Sequence, residues 1–364
     1  MYVPERCTGT YKDLIIASLH PRTDVTMGLW SILRKPNRLA DFPDEGYNRV
    51  NGLKWYLTTT RGQVTVLHTV ASVYVVVFCL LVCWASVCLG LPILYKDSPD
   101  GLMYARALMI YICFCIESNY LLIKFRAKES HVLTLNNGEL PRVNVTKTFN
   151  DHMSQPVKAS SSSYSRDSSA VVDTTWTRCT HCNVDVPPRA RHCSVCQTCV
   201  LKKDHHCFFT GCCVGFYNQR YFITFCVLGI IGGTWGLYNL GTYLTINYAP
   251  MLSLQMYRYF LPYSIIGLLI GHVSLYDFFL VLLFYLHITS TATSYYYFAW
   301  QMFIISRGQT SYECVKRKHV YKKDFWAHMR SVFGPYWPVG LVFPVPFIVN
   351  EGDGKTWEMN KKQS

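Results

Sequence analysis

Apolar residues along this chain fall into long uninterrupted runs rather than short periodic stretches. Val70 to Tyr95 contains no Lys, Arg, Asp, Glu or His, and it exceeds the roughly 20 residues that a helix needs to cross a hydrocarbon core. Tyr221 to Ala249 is a second clean run. Two more are lightly interrupted: Leu102 to Ile123 by Arg106 and Glu117, and Phe278 to Ser306 by His287 alone. A buried core helix is the competing reading of each, and it is credible only for Leu102 to Ile123. The pattern predicts four membrane-crossing helices. Ser264 to Ser274 reads as a non-cytosolic or re-entrant extension of the fourth, because a fifth crossing would carry Lys316-Arg317-Lys318 to the wrong side.

Composition agrees. Half of the residues are hydrophobic and only 16% are charged, which is poor in charge for a soluble domain. The net charge of +13 would suggest nucleic acid, but 32 of the 35 Lys and Arg lie before the first run, from Lys124 to Arg220, or from Arg307 onward. Positive residues concentrate on the cytosolic side of membrane proteins. The distribution therefore reports topology, excludes a nucleic-acid partner, and predicts a cytosolic location for both termini and the segment between the second and third helices.

The intervening polar regions divide the chain into a cytosolic N-terminal region (1–63), helices 1 and 2 (64–125), a Ser-rich linker (126–175), a cysteine-rich domain (176–222), helices 3 and 4 (223–306) and a cytosolic tail (307–364). No signal peptide precedes the first run. The linker carries serine clusters at Ser160 to Ser163 and Ser168-Ser169. Its Asn144-Val145-Thr146 is a glycosylation pattern expected to stay unused in the cytosol.

The chemistry concentrates in Cys179-x2-Cys182-x9-His192-Cys193-x2-Cys196-x2-Cys199-x4-Asp204-His205-His206-Cys207-x5-Cys213. Such density in a reducing compartment argues for metal rather than disulfides. Zinc suits paired Cys-x2-Cys turns, with four Cys or His ligands per structural site. Spacing alone does not pair the ligands.

Pro187-Pro188-Arg189, His192-Cys193-Ser194-Val195-Cys196, Asp204-His205-His206-Cys207 and Cys213-Val214-Gly215-Phe216, followed by Asn218, resemble the cysteine-rich domain of the DHHC protein S-acyltransferases, or palmitoyltransferases. The resemblance implies a mainly α polytopic membrane protein with four transmembrane helices. A cytosolic zinc-knuckle domain of short β-hairpins lies between the second and third. It implies two structural Zn2+ ions, one on Cys179, Cys182, His192 and Cys199, the other on Cys193, Cys196, His206 and Cys213. Cys207 then stays free as nucleophile, with His205 as base and Asp204 as its orienter. Such an enzyme takes a long-chain acyl group from acyl-CoA onto Cys207 and passes it to membrane-proximal cysteines of substrate proteins at the bilayer. Gln309-Thr310-Ser311-Tyr312-Glu313 is similar to the family's TTxE motif, with Thr310, Ser311 and Glu313 as supporting residues. The same residues also read as a helix capping box. Val332-Phe333-Gly334-Pro335 resembles the amphipathic segment that packs beneath the catalytic domain.

Departures are equally visible. The family's Pro-Trp after the nucleophile is Phe208-Phe209 here, and its Asn-Asn is Gly211-Cys212. Cys212 has three readings: a substitute zinc ligand, an acyl acceptor, or a packing residue. Cys79, Cys83, Cys113 and Cys226, within the helices, read as small apolar residues. Gly229, Gly232 and Gly233 either leave space for an acyl tail or seat a neighbouring helix. Lys361-Lys362-Gln363-Ser364 resembles a dilysine retrieval signal, which implies the endoplasmic reticulum or the Golgi. The competing functional class is a noncatalytic membrane zinc scaffold. Substrate proteins, acyl length and any accessory subunit have no signature in the sequence.

Overall fold

The structure is a computed structural model, and it describes residues 60–132, 172–173, 175–318, 321, 324–335 and 350–358. Apart from the first turns of the first helix, the described residues belong to one compact unit that begins at Val70. The serine clusters, the Asn144 acceptor pattern and the dilysine terminus lie outside the described residues.

Among the described residues, four helices are long and apolar enough to cross a membrane. The first is α1 (Thr60–Ala85), which continues through a π-helical turn at Ser86–Gly90 into α2 (Leu91–Leu94). The second is α3 (Pro99–Ala127), the third α4 (Gln219–Asn247) and the fourth α6 (Leu275–Ser306). Local chemistry explains the starts. Pro99 occupies the first turn of α3, where its missing N–H would have had no partner in any case. The Ser98 and Ser274 side chains accept from Gly101 N and Asp277 N at the starts of α3 and α6.

The central helix is α4, which packs along both α3 and α6. Its glycines allow the close approach. A Cβ at Gly232 would meet Ile112 of α3, and one at Gly229, Gly233 or Gly236 would meet Ser294, Thr291 or His287 of α6. Lipid offers helices no hydrophobic drive to associate, so small residues that bring backbones together carry much of the packing. Gly90, in the π-helical turn, abuts the Asn239 backbone in the same way.

The segment before the fourth helix departs from expectation. It is a separate helix α5 (Leu261–Leu269), not an extension of α6. Gly271 at φ +78° turns the chain, and Ser274 caps a new helix three residues later. The Asp277 carboxylate accepts from the Ser274 hydroxyl at 2.7 Å.

Between α3 and α4 lie three short antiparallel hairpins: β2–β3 (Thr177–Cys179, Val184–Val186), β4–β5 (Arg191–Cys193, Thr198–Val200) and β6–β7 (His205–Cys207, Cys212–Val214). A further pair joins β1 (Val172–Asp173) to β8 (Trp357–Glu358). Two short helices follow α6: α7 (Ser311–Val315) and α8 (Phe325–Phe333). Met329, Val332 and Phe333 of α8 pack on Ile223 and Ile305, at the hairpin-side ends of α4 and α6. The Val332-Phe333 segment is therefore tied to the bundle by its apolar face.

Candidate active site and metal centres

The three hairpins are copies of one device. Cys179, Cys193 and Cys207 are equally spaced along the chain, and each ends the first strand of its hairpin. Each stands opposite the residue that opens the second strand: Cys179 against Val184, Cys193 against Thr198, Cys207 against Cys212. At the tight turns Asn183, Gln197 and Gly211 adopt φ of 55°, 54° and 65°, a region that Asn and Gly enter most readily. In the first two hairpins the knuckle cysteine's sulfur accepts a backbone N–H three residues on, from Cys182 at 3.5 Å and Cys196 at 3.4 Å.

Ligands interlock from one hairpin to the next. Cys179 and Cys182 of the first knuckle meet His192 and Cys199, which face each other across the second hairpin. Cys193 and Cys196 of the second knuckle meet His206 and Cys213, which face each other across the third. Within each group the ligand atoms lie within 4.8 Å of one another. Zinc held tetrahedrally at a Zn–S distance of about 2.3 Å separates its sulfurs by roughly 3.8 Å. The Cys182–Cys199 and Cys196–Cys213 sulfurs are 3.8 and 3.7 Å apart. His192 Nδ1 lies 3.2 Å from the Cys182 sulfur, and His206 Nδ1 lies 3.3 Å from the Cys196 sulfur. The donors fit two structural zinc ions.

In the third hairpin the second knuckle position is Thr210, whose hydroxyl is no zinc ligand of this kind. Cys207 belongs to neither cluster. Strand alternation explains its placement. Successive residues of a strand face opposite ways, so His206 turns to the metal ligands while His205 and Cys207 share the other face. There Cys207 joins an apolar cluster with Ile123, Val214, Tyr221, Phe222 and Cys226.

Asp204 is the polar hub of that face. Its Oδ2 accepts from His205 Nδ1 at 2.8 Å and from Gln301 Nε2 at 2.8 Å, and its Oδ1 accepts from the Ser311 backbone N–H at 2.6 Å. Burial alone would raise its carboxyl, but the His205 ring and these donors hold it below the usual carboxylate range. Burial likewise opposes a charged His205, yet Asp204 and Cys207 together push the ring up to about 10. For Cys207 burial raises the thiol, and the His205 ring, with help from Thr210, more than reverses it. His205 and Cys207 thus stabilise each other's charged forms, while His205 Nε2 has no partner in hydrogen-bond geometry among the described residues. The ring is fixed between Phe222, edge-on at 5.2 Å, and Tyr297, stacked at 6.4 Å.

The segment after α6 forms the expected capping box and also reaches the hairpin domain. Thr310 and Glu313 form a reciprocal capping box at the start of α7. Ser311 reaches Asp204 through its backbone, and the Glu313 carboxylate accepts from Arg189 Nε and Nη2 at 2.8 and 2.7 Å. Arg189 lies between the rings of Tyr321 and Trp357, 4.7 and 4.5 Å from their centroids. Asn218 latches the hairpin to α3, donating to the Cys213 and Ile123 carbonyls and accepting from Gly215 N.

Cys207 also lines a cavity of about 300 Å³ that runs between α1, α3, α4 and α6. Phe209, Tyr120 and Tyr297 share the wall at the hairpin end, and Tyr120 donates its hydroxyl to the Phe209 carbonyl at 3.2 Å. Cys79, Cys83, Cys113 and Cys226 line it too. Gly229, Gly232 and Gly233 are cavity wall and helix seat at once. Cys212 sits on the Cys207 face, away from the zinc ligands, with its sulfur 3.4 Å from Thr210 Oγ1. Burial, with Cys207 nearby, pushes its thiol up to about 11.

Sequence reasoning did not single out Gln301 or Tyr297, and it met Arg189 only as part of the Pro187-Pro188-Arg189 resemblance. Gln301 is fully buried near the end of an apolar helix, and a polar residue in that setting is itself a functional signal.

The family model of the DHHC palmitoyltransferases matches residues 173–318, the stretch that holds the three hairpins, α4, α6 and α7. This chain carries a DHHC palmitoyltransferase domain, the domain characteristic of S-acyltransferases. No curated protein matches the chain.

Proposed function

We propose that this chain is a protein S-acyltransferase that moves a long-chain acyl group from acyl-CoA to protein cysteines through an acyl-enzyme on Cys207. One observation carries the reading: the Cys207 thiol, whose ionised form the His205 ring of the Asp204–His205 pair favours, is also a wall residue of the cavity between the four helices. A nucleophile at the mouth of an apolar cavity suits a thioester whose tail must leave water, since each buried methylene contributes about 0.8 kcal/mol.

The Cys207 thiolate attacks the thioester carbonyl, and the tetrahedral intermediate collapses with loss of CoA thiolate. The His205 imidazolium, oriented by Asp204, gives that leaving sulfur its proton. An acceptor cysteine then attacks the Cys207 thioester, its thiol proton returns to His205, and Cys207 leaves as thiolate. Two displacements at one sulfur give ping-pong kinetics. Gln301 and the Ser311 N–H keep Asp204 ionised and aimed through both steps. Zinc on Cys179, Cys182, His192 and Cys199, and on Cys193, Cys196, His206 and Cys213, supplies structural cross-links when bound. The charge asymmetry of the sequence supports a cytosolic site, with acceptor cysteines close to the bilayer.

Incubating the purified protein and its Cys207→Ser variant with an alkynyl palmitoyl-CoA tests this. Hydroxylamine-sensitive label on the parent alone, with about two zincs in both, is expected. Equal labelling of both proteins overturns the Cys207 reading. No labelling of either with zinc retained favours the scaffold.

A further inference from the structure

A second, small cavity of about 20 Å³ lies where the end of α6, the turn after it and α8 meet the hairpin domain. Arg189, Lys202, Gly308, Gln309, His328 and Ser331 line it. The two fixed cations come from the hairpin domain, Arg189 from the link between β3 and β4 and Lys202 from the link between β5 and β6. Both are buried, at 7% and 5% exposure.

A charge removed from water needs a partner. Arg189 has one: its Nε and Nη2 donate to the two Glu313 oxygens, and Nη2 donates also to the Gly308 carbonyl at 3.1 Å. Lys202 has none. Its amine lies 5.7 Å from the centroid of the Trp357 ring and makes no hydrogen bond among the described residues. The carboxylates nearby are engaged, Glu313 by Arg189 and the Thr310 N–H, Asp204 by His205, Gln301 and the Ser311 N–H. Burial, with Arg189 adding to it, accordingly pulls the Lys202 amine down to about 7, against the opposing pull of Glu313 and Asp204. Nor is the amine sealed in protein: unlike His287 Nδ1 and Thr291 Oγ1 in the seam between α4 and α6, it keeps accessible surface.

The remaining side chains of the lining do not supply the missing charge. Gln309 accepts from Arg307 Nε and donates to the Lys318 carbonyl, and Ser331 donates to the His328 carbonyl at 2.8 Å. The cavity therefore borders an ammonium with unused donors and no unengaged carboxylate. A space of about 10–15 Å³ is the least that holds a water molecule, so a volume of about 20 Å³ admits one atom-sized occupant and no tetrahedral oxyanion.

We propose that this cavity is a site for one small monovalent anion of chloride size, held by Lys202 together with Arg189, which joins α8 and the turn after α6 to the hairpin domain. The site is independent of the chemistry at Cys207. An anion that binds only the folded protein stabilises it in proportion to its saturation, so the occupant is read out by stability alone.

The test follows the thermal midpoint of the full-length protein in detergent as sodium chloride replaces sodium gluconate at constant ionic strength. A saturable rise of about 2 °C is expected for a ligand in roughly tenfold excess over its Kd. Lys202→Met is expected to lose the chloride dependence with its zinc content unchanged. Should that variant lose zinc, Ser331→Leu, which fills the cavity and keeps both cations, carries the comparison, again with no chloride dependence expected. A parent midpoint indifferent to the exchange leaves the cavity to a water molecule and overturns the site. A rise that survives the substitutions places the anion elsewhere and overturns it equally.

Discussion

The backbone N–H of Ser311 donates to the Asp204 carboxylate at 2.6 Å, joining the segment that follows the fourth long helix to the residue that leads into the strand bearing Cys207. Because Ser311 contributes its backbone, its identity is free at this contact. Its hydroxyl accepts instead from Trp300 Nε1 at 2.9 Å. Asp204 is thereby held from three directions: by His205 in its own hairpin, by Gln301 in α6 and by the turn beyond it.

Asp204→Asn should leave the fold and both zincs in place while slowing Cys207 acylation by about 10²–10⁴-fold, the range associated with a positioned acid–base group. An amide cannot hold the imidazolium as the carboxylate does. Rapid-quench labelling with parallel zinc quantification checks it, and a variant as fast as the parent would remove Asp204 from the mechanism.

Gln301→Leu should act on the same carboxylate more weakly. It removes one of Asp204's donors and leaves Gln219, which donates to the Gln301 side chain at 2.9 Å, without that acceptor. A fall in acylation rate of about tenfold, corresponding to one lost hydrogen bond to a charged group, is the expected result of the same assay.

The acylation rate should rise to a plateau with pH and then fall again. On the acid side it falls as Cys207 takes up a proton, below the ordinary thiol value of about 8.5, because His205 lowers that group. On the alkaline side it falls as His205 loses its proton near 10. The same shifts bear on stability. Asp204, depressed in the fold, stabilises above its unfolded value of about 3.9 and loses that contribution as pH falls through its lower folded value. His205, raised in the fold, stabilises fully below about 6.5 and loses that contribution as pH rises through its folded value. A labelling profile from pH 5 to 11 checks the rate prediction, and an acid limb centred at a normal thiol value would count against the ion pair.

Breaking the Arg189–Glu313 pair should destabilise the protein by about 3–5 kcal/mol, since removing one partner strands a buried charge. Both side chains are nearly inaccessible, at 4% and 9%. Glu313→Gln should therefore lower the thermal midpoint in detergent while keeping Cys207 labelling at low temperature. An unchanged midpoint would mean that the pair contributes little.

Cys212→Ala should leave acylation within about twofold of the parent, because a thiol raised to about 11 is almost entirely protonated at neutral pH and the thiolate is the nucleophile. Residual label on Cys207→Ser that disappears in the Cys207→Ser/Cys212→Ala double variant would contradict this.

Much of this arrangement was legible in the sequence, for physical reasons that differ by region. Charge-free runs as long as Val70–Tyr95 and Tyr221–Ala249 have few soluble alternatives, so those two helices followed from length alone, and the lightly interrupted pair followed with them. Cys-x2-Cys turns encode their own geometry, and the two ligand groups are those the family resemblance implies. The polar wall of α6 was not legible, because Thr and Ser inside an apolar run bond to their own helix and leave its hydropathy high. Nor was the break before α6, where Gly271 and Ser274 are ordinary residues until their backbone angles are known. The cavity role of Cys79, Cys83 and Cys113 depends on which helices become neighbours, and no local pattern records that.

Each hairpin hands its knuckle to the metal completed by the next, and the series stops at the third. Cys207 therefore occupies the position where another ligand would stand if a fourth hairpin followed. The Cys207 thiol is the open end of a polymer-like array: one side adjoins two repeats whose ligands are placed for metal cross-links, and the other meets helices instead of a cation. A reactive group and a structural ligand differ here by what comes next along the chain.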